Sequence, residues 1–241
     1  MVATKHSVFE APDNPNIKIW RYMDFTKFVS MLDTQSLFFS RSDLLGDPYE
    51  GATSHANIEF DPNSWSNIFP DYPKYTEWAR QWIYINCWHM NNHESAAMWK
   101  LYASTNEAIA IQSTYARLHA CLTAQIYVGK VHYINYETEF IPENNALYPF
   151  VHKRKSFDHE QELRAVMNEH PPDGSDGPVE IGMPNPERGK LVNIDLKNLV
   201  EQIYVAPTAP VWFTELVGKI TKKYGFEIAV TSSLLDKKPV F

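Results

Sequence analysis

Glu160, Glu162 and Arg164 stand two residues apart in the stretch Lys155-Ser156-Phe157-Asp158-His159-Glu160-Gln161-Glu162-Leu163-Arg164-Ala165-Val166-Met167. Read as one strand, this segment puts Leu163, Ala165 and Met167 on one side and the three charged residues on the other, about 7 Å from one to the next. Neighbouring carboxylates raise each other's pKa and a guanidinium lowers it. Such a row can hold one acid and one base, or hold sugar hydroxyls and stabilise a cation. Glu162, flanked by both other charges, is the candidate to carry chemistry, with Glu160 and Arg164 in support. The plainer alternative is a solvated, charged edge strand.

A second constellation begins at Arg21. The alternation of Ile17 to Met23 predicts a strand with Ile17, Ile19, Arg21 and Met23 on its more apolar face. An Arg placed there needs an anionic partner, either in a structural ion pair or in a carboxylate or phosphate ligand. The basic run Lys153-Arg154-Lys155 offers room for one phosphate. Arg21, Arg164 and Lys155 together would make an anion cradle with no reacting carboxylate. Trp99 and Tyr102 fall in a predicted helix, where core packing accounts for them as well as stacking on a flat ligand ring does. Ser113 and Thr114 read as helix caps. His89 and His93 have a ligand-like spacing, but they precede the helix and Glu94 is misplaced for a zinc-protease motif, so no metal is expected.

These residues need a folded frame, and the composition supplies one. The 241-residue chain is 44% hydrophobic and rich in aromatics, which predicts one globular domain over 1–241 with a polar N-terminal tail, 1–16, and a possible insertion at 53–74. Cys87 and Cys121 are the only cysteines, too few for a disulfide framework or a zinc knuckle. No apolar run is long enough for a membrane helix or a signal segment, so a cytoplasmic protein is expected. The net charge of −7 argues against broad nucleic-acid binding.

The expected elements are a helix after Asp24 with Phe25, Phe28, Val29 and Leu32 inward, and a strand over Leu37–Ser40. A loop follows in which Asp47 and Glu50 order the turn. Then come a helix Tyr75–Trp82, a strand Ile83–Trp88, and a helix Ser95–Tyr102 capped by Asn92. Strands are predicted over Glu107–Gln112, Ile126–Tyr136, Lys190–Leu196, Gln202–Val205 and Phe226–Ser232. Helices are predicted over Ala146–Lys155 and Trp212–Tyr224, with a turn-rich excursion over Pro171–Asp176 and a C-terminal tail from Leu235. This is an α+β domain on a mixed or antiparallel sheet with flanking helices.

Trp20-Arg21-Tyr22, Asp47-Pro48-Tyr49-Glu50-Gly51, Met98-Trp99-Lys100-Leu101-Tyr102-Ala103, Glu160-x-Glu162-x-Arg164 and Ile203-Tyr204-Val205-Ala206-Pro207 together resemble a bacterial family catalogued as a domain of unknown function, from about Trp20 to Ser233. The order of parts, a strand with Arg, a central strand ending in Ser-Thr and a late Glu-x-Glu, also looks like that of ADP-ribosyltransferases. That likeness implies an ADP-ribosyltransferase-like fold and NAD as substrate. Arg21 would hold the dinucleotide, Ser113 would support the pocket, Glu162 would act on the nicotinamide ribose, and Glu160 would activate or position the acceptor. Cleavage of the nicotinamide bond develops oxocarbenium charge, which a carboxylate near the ribose stabilises more than it stabilises the substrate. Two departures stand out: Gln112-Ser113-Thr114 is not a full Ser-Thr-Ser motif, and Arg164 can lock Glu162. The sequence therefore leaves two readings open. One is an NAD-using transferase or glycohydrolase; the other is a non-catalytic sensor of a nucleotide-type or anionic small molecule. The acceptor is not legible.

Overall fold

The computed structural model describes residues 6–102, 106–169, 182–237 and 239; the Pro171–Asp176 excursion lies outside them. In chain order the strands are β1 (Lys18–Asp24), β2 (Ser36–Arg41), β3 (Ile83–Met90), β4 (Ala108–Thr114), β5 (Ile126–Lys130), β6 (His132–Ile134), β7 (His152–Arg154), β8 (Glu162–Asn168), β9 (Gly189–Asn193), β10 (Gln202–Val205) and β11 (Val230–Ser232). The helices are α1 (Phe25–Thr34), α2 (His55–Phe60), α3 (Trp65–Ile68), α4 (Tyr72–Ala79), α5 (Ala96–Tyr102), α6 (Tyr115–Cys121), α7 (Leu196–Leu199) and α8 (Val211–Lys223), with short 3₁₀ turns between them.

The result is a single α+β domain on a mixed sheet. Its path runs β11-β10-β4-β1-β3-β2-β9, and β8 joins β3 to β5. The β10–β11 pair is parallel and its other neighbours are antiparallel; β6 and β7 form a separate parallel pair. Alternation along β8 follows the expected period: Leu163, Ala165 and Met167 join the main core with Ile19, Met23, Ile109, Ile111 and the inner faces of α1, α6, α7 and α8. On the other side, α5 packs Met98 and Trp99 against Trp20 and Tyr22. Val8 and Phe9, in the segment expected to be a polar tail, are buried with Ile85, Phe150 and Val166.

The sheet is split where the site lies. β8 occupies one edge of β3 from Ile83 to His89. The other edge is shared, with β1 pairing only at His89 and Met90 and β2 only at Tyr84 and Ile85. Side chains bridge the interval: Arg21 donates to the Cys87 carbonyl at 2.9 Å and Asn86 donates to the Phe38 carbonyl at 2.9 Å. α1, which links β1 to β2, flanks the opening. Its start is fixed by Asp24, whose carboxylate accepts from the Lys27 amide.

Several boundaries differ from expectation. β8 begins at Glu162, because Lys155–Glu160 forms a 3₁₀ turn and Gln161 closes it with φ 41°. β8 also lies between β3 and β5, so it is no edge strand. The helix expected over Ala146–Lys155 is a 3₁₀ turn (Tyr148–Val151) with Pro149 near its start, followed by β7. Ile126–Tyr136 breaks at Val131 into β5 and β6, and Phe226–Ser232 keeps only β11. Lys190–Leu196 resolves into the end of β9 and the start of α7, and Tyr75–Trp82 into the end of α4 and a 3₁₀ turn. At α5, Ser95 takes the capping role, its hydroxyl accepting from the Met98 amide. No helix among the described residues is long and apolar enough to cross a membrane.

Candidate functional site

The period-two face of β8 that carries Glu162 and Arg164 continues across the sheet. Cross-strand pairing sets Glu162 opposite His89 and Arg164 opposite Cys87, and Trp20 of β1 opposite His89. These side chains line a cavity of about 660 Å³ at the split, within the size range of small-molecule sites. Arg21, Tyr22, Tyr102, Glu160, Lys153, Asp47 and Glu50 line it too.

At its deep end the charges form a connected network. Arg164 Nε lies 2.8 Å from Glu162 Oε1 and its Nη2 3.1 Å from Oε2; the same Nη2 is 2.9 Å from Glu50 Oε1, and Nη1 donates to the Phe150 carbonyl at 2.7 Å. Lys153 lies 3.4 Å from Glu162 Oε2 and is hydrogen-bonded to Glu160. Burial alone would push the Glu162 carboxyl up, but Arg164 and Lys153 outweigh it and hold the group at about 2. Glu50 goes the other way: burial raises it, and Arg164 only partly offsets that. Arg164 and Lys153 are raised against the pull of burial, each chiefly by Glu162. Burial and the neighbouring Glu162 charge push the Cys87 thiol well up, leaving it protonated. His89 is lowered by burial, and its Nδ1 donates to the Glu160 carbonyl at 2.6 Å.

Arg21 differs from these cations. It starts from the apolar face of β1, reaches the split, and among the described residues has no carboxylate within ion-pair distance. Burial lowers its pKa, and only Cys87 and Tyr102 act in the opposite sense.

The remaining expected site residues divide. Tyr102 lines the cavity mouth. Trp99 does not: it is buried in the α5 packing, edge-on to Tyr22, with its indole N–H on Glu94 at 3.0 Å. Ser113 is fully buried in the main sheet and donates to the Leu199 carbonyl, away from the cavity, while Thr114 caps α6. Lys155 is exposed, 3.9 Å from Glu139, because the 3₁₀ turn rotates it outward; Lys153, two residues earlier in β7, enters the network instead. Arg154 pairs with Asp47 at 2.8 Å and lies over the Tyr49 ring, so the basic run does not act as one patch. Glu50 and Asp47 were expected only to order their turn. Their signal was the Gly46 and Gly51 flanks: both adopt positive φ, and a Cβ at Gly51 would meet the Phe150 ring at 2.5 Å. Among the described residues no cluster of His, Cys, Asp and Glu is suited to a metal.

No protein-family model, curated protein or solved structure matches this chain.

Proposed function

We propose that this chain binds a nucleotide-type anionic ligand at Arg21, with NAD as the candidate, and cleaves its nicotinamide bond as a glycohydrolase or ADP-ribosyltransferase. The observation that carries the reading is that one cavity holds both a guanidinium without a carboxylate partner among the described residues and the carboxylates of Glu160 and Glu162. A largely buried Arg left unneutralised is costly, and a phosphate is the partner its planar fork suits. Aromatic walls at Trp20, Tyr22 and Tyr102 suit a flat ring. Glu162 stays ionised and is held in one position by Arg164, so it offers a preorganised negative charge to a developing oxocarbenium ion. In this reading Glu160, on the Lys153 side, meets the acceptor.

The pairing of Glu162 with both Arg164 and Lys153 favours the second reading, a non-catalytic sensor, because it neutralises much of the charge that catalysis would use. Titrating NAD into wild type and Arg21→Met, and assaying free nicotinamide in the same samples, tests both. The expected result is that wild type binds and releases nicotinamide, while Arg21→Met stays folded and binds at least about 10-fold more weakly, as loss of a charge-assisted contact predicts. Binding without release leaves the sensor. Equal binding by Arg21→Met ends the assignment of Arg21.

A further inference from the structure

The charged end accounts for only part of the cavity. Away from it, the cavity runs between α1 and β2. Along α1 the residues Lys27, Ser30, Met31 and Thr34 line it at helical spacing. Along β2, Ser36, Phe38 and Ser40 line it at a spacing of two; Phe39 turns into the core, and Leu37, also part of the core, meets the cavity as well. Large apolar side chains lining the cavity are left uncovered: Phe38 is 47% exposed, Leu191 57% and Leu44, in the turn after β2, 39%. Phe38 and Leu191 are direct cross-strand partners on β2 and β9. The Phe38 ring is seated on Gly189, where a Cβ would come within 2.2 Å of its Cζ, so the absence of a side chain there sets the ring's position.

We infer that this end is a base subsite, and that the Phe38, Leu44 and Leu191 surface takes the purine ring of a dinucleotide whose phosphates reach Arg21. The inference rests on the nucleotide reading above and adds the direction in which the ligand lies. A flat ring has two π faces to cover and heteroatoms at its edge. The surface offers a seated aromatic ring and apolar side chains beside the hydroxyls of Ser30, Thr34, Ser36 and Ser40, the last three of which donate to backbone carbonyls and so present acceptor lone pairs, all in one cavity with the Arg21 guanidinium. The nicotinamide half then falls between Tyr22, Tyr102 and the carboxylates.

Calorimetric titration of wild type and Phe38→Ala with NAD, AMP and nicotinamide mononucleotide tests this. Phe38 is half exposed on its strand, so the variant is expected to melt close to wild type; Leu191→Ser serves if it does not. The expected result is a Kd raised about 10- to 100-fold for NAD and AMP, the scale of deleting one base-stacking ring, with nicotinamide mononucleotide unchanged. An equal loss for all three ligands, or no loss for NAD, overturns the base subsite. If wild type binds nicotinamide mononucleotide but neither NAD nor AMP, the subsite falls while the nucleotide reading stands. If wild type binds none of the three, both fall.

Discussion

Glu162 contributes its charge to the fold before any ligand arrives, and this changes what its replacement should do. Its carboxylate balances Arg164 and Lys153, all buried. Glu162→Gln keeps the shape and leaves both cations short of a counter-charge, so a loss of about 3 kcal/mol is expected, toward the low end for breaking a buried pair because the amide still accepts hydrogen bonds. The pH dependence has a defined sign. Glu162 titrates at about 2 in the folded chain against an ordinary value of 4.5, so on acidification the unfolded chain takes up the proton first. Its contribution is complete above about pH 4.5 and is lost as the pH falls through 2. Glu50, raised by burial and also by the neighbouring Glu162 charge, contributes in the opposite sense, and part of that opposition goes with the Glu162 charge in the variant. Melting temperatures of wild type and Glu162→Gln should therefore converge between about pH 4.5 and 2. A gap that stays constant, or a variant as stable as wild type at neutral pH, would show that Glu162 carries no structural charge.

At the scale of elements, α5 separates packing from binding. Trp99 and Met98 hold the helix on Trp20 and Tyr22, whereas Tyr102 at its end meets the cavity. Trp99→Ala should cost about 3–5 kcal/mol of stability, read by denaturant titration, with the proposed NAD binding unchanged in the fraction that stays folded. A stable variant that no longer binds would move Trp99 into the site. Elements with a clean period were legible in the sequence: β1, β4, α8, and α1 with its Asp24 cap all lie within a few residues of expectation. The approach to the site was not. Period two predicts an unbroken strand through Glu160, and nothing in that pattern signals that Gln161 adopts a left-handed conformation and ends a 3₁₀ turn. The same shift exchanges Lys155 for Lys153. Arg21 stood out as a charge on an apolar face, and Glu162 and Arg164 as part of a period-two row of opposite charges. Glu50, Cys87 and Phe38 gave no such signal, since only long-range strand pairing and the loop after β2 bring them to the cavity.

Across the whole molecule, the split edge of β3 gathers these distant parts. Arg164 joins Glu50 over a sequence separation of 114 residues, and β3 meets β8 over a shorter but still long stretch of chain. Each such contact carries a loop-closure cost that grows with the logarithm of the loop, so local pieces such as α1 with β1 have the kinetic advantage. The Glu50–Arg164 contact forms only when β8 and the Gly46–Gly51 loop are both seated, so the complete network is expected to form on the native side of the folding barrier. Stopped-flow measurements on Glu162→Gln should accordingly show unfolding accelerated by most of the equilibrium change and refolding nearly as fast as wild type. A refolding rate reduced in full proportion would put the network in the folding nucleus instead. With the network formed late, the ion pairs behind the cavity matter most as a clock: they set how long a folded molecule lasts, more than how quickly it forms.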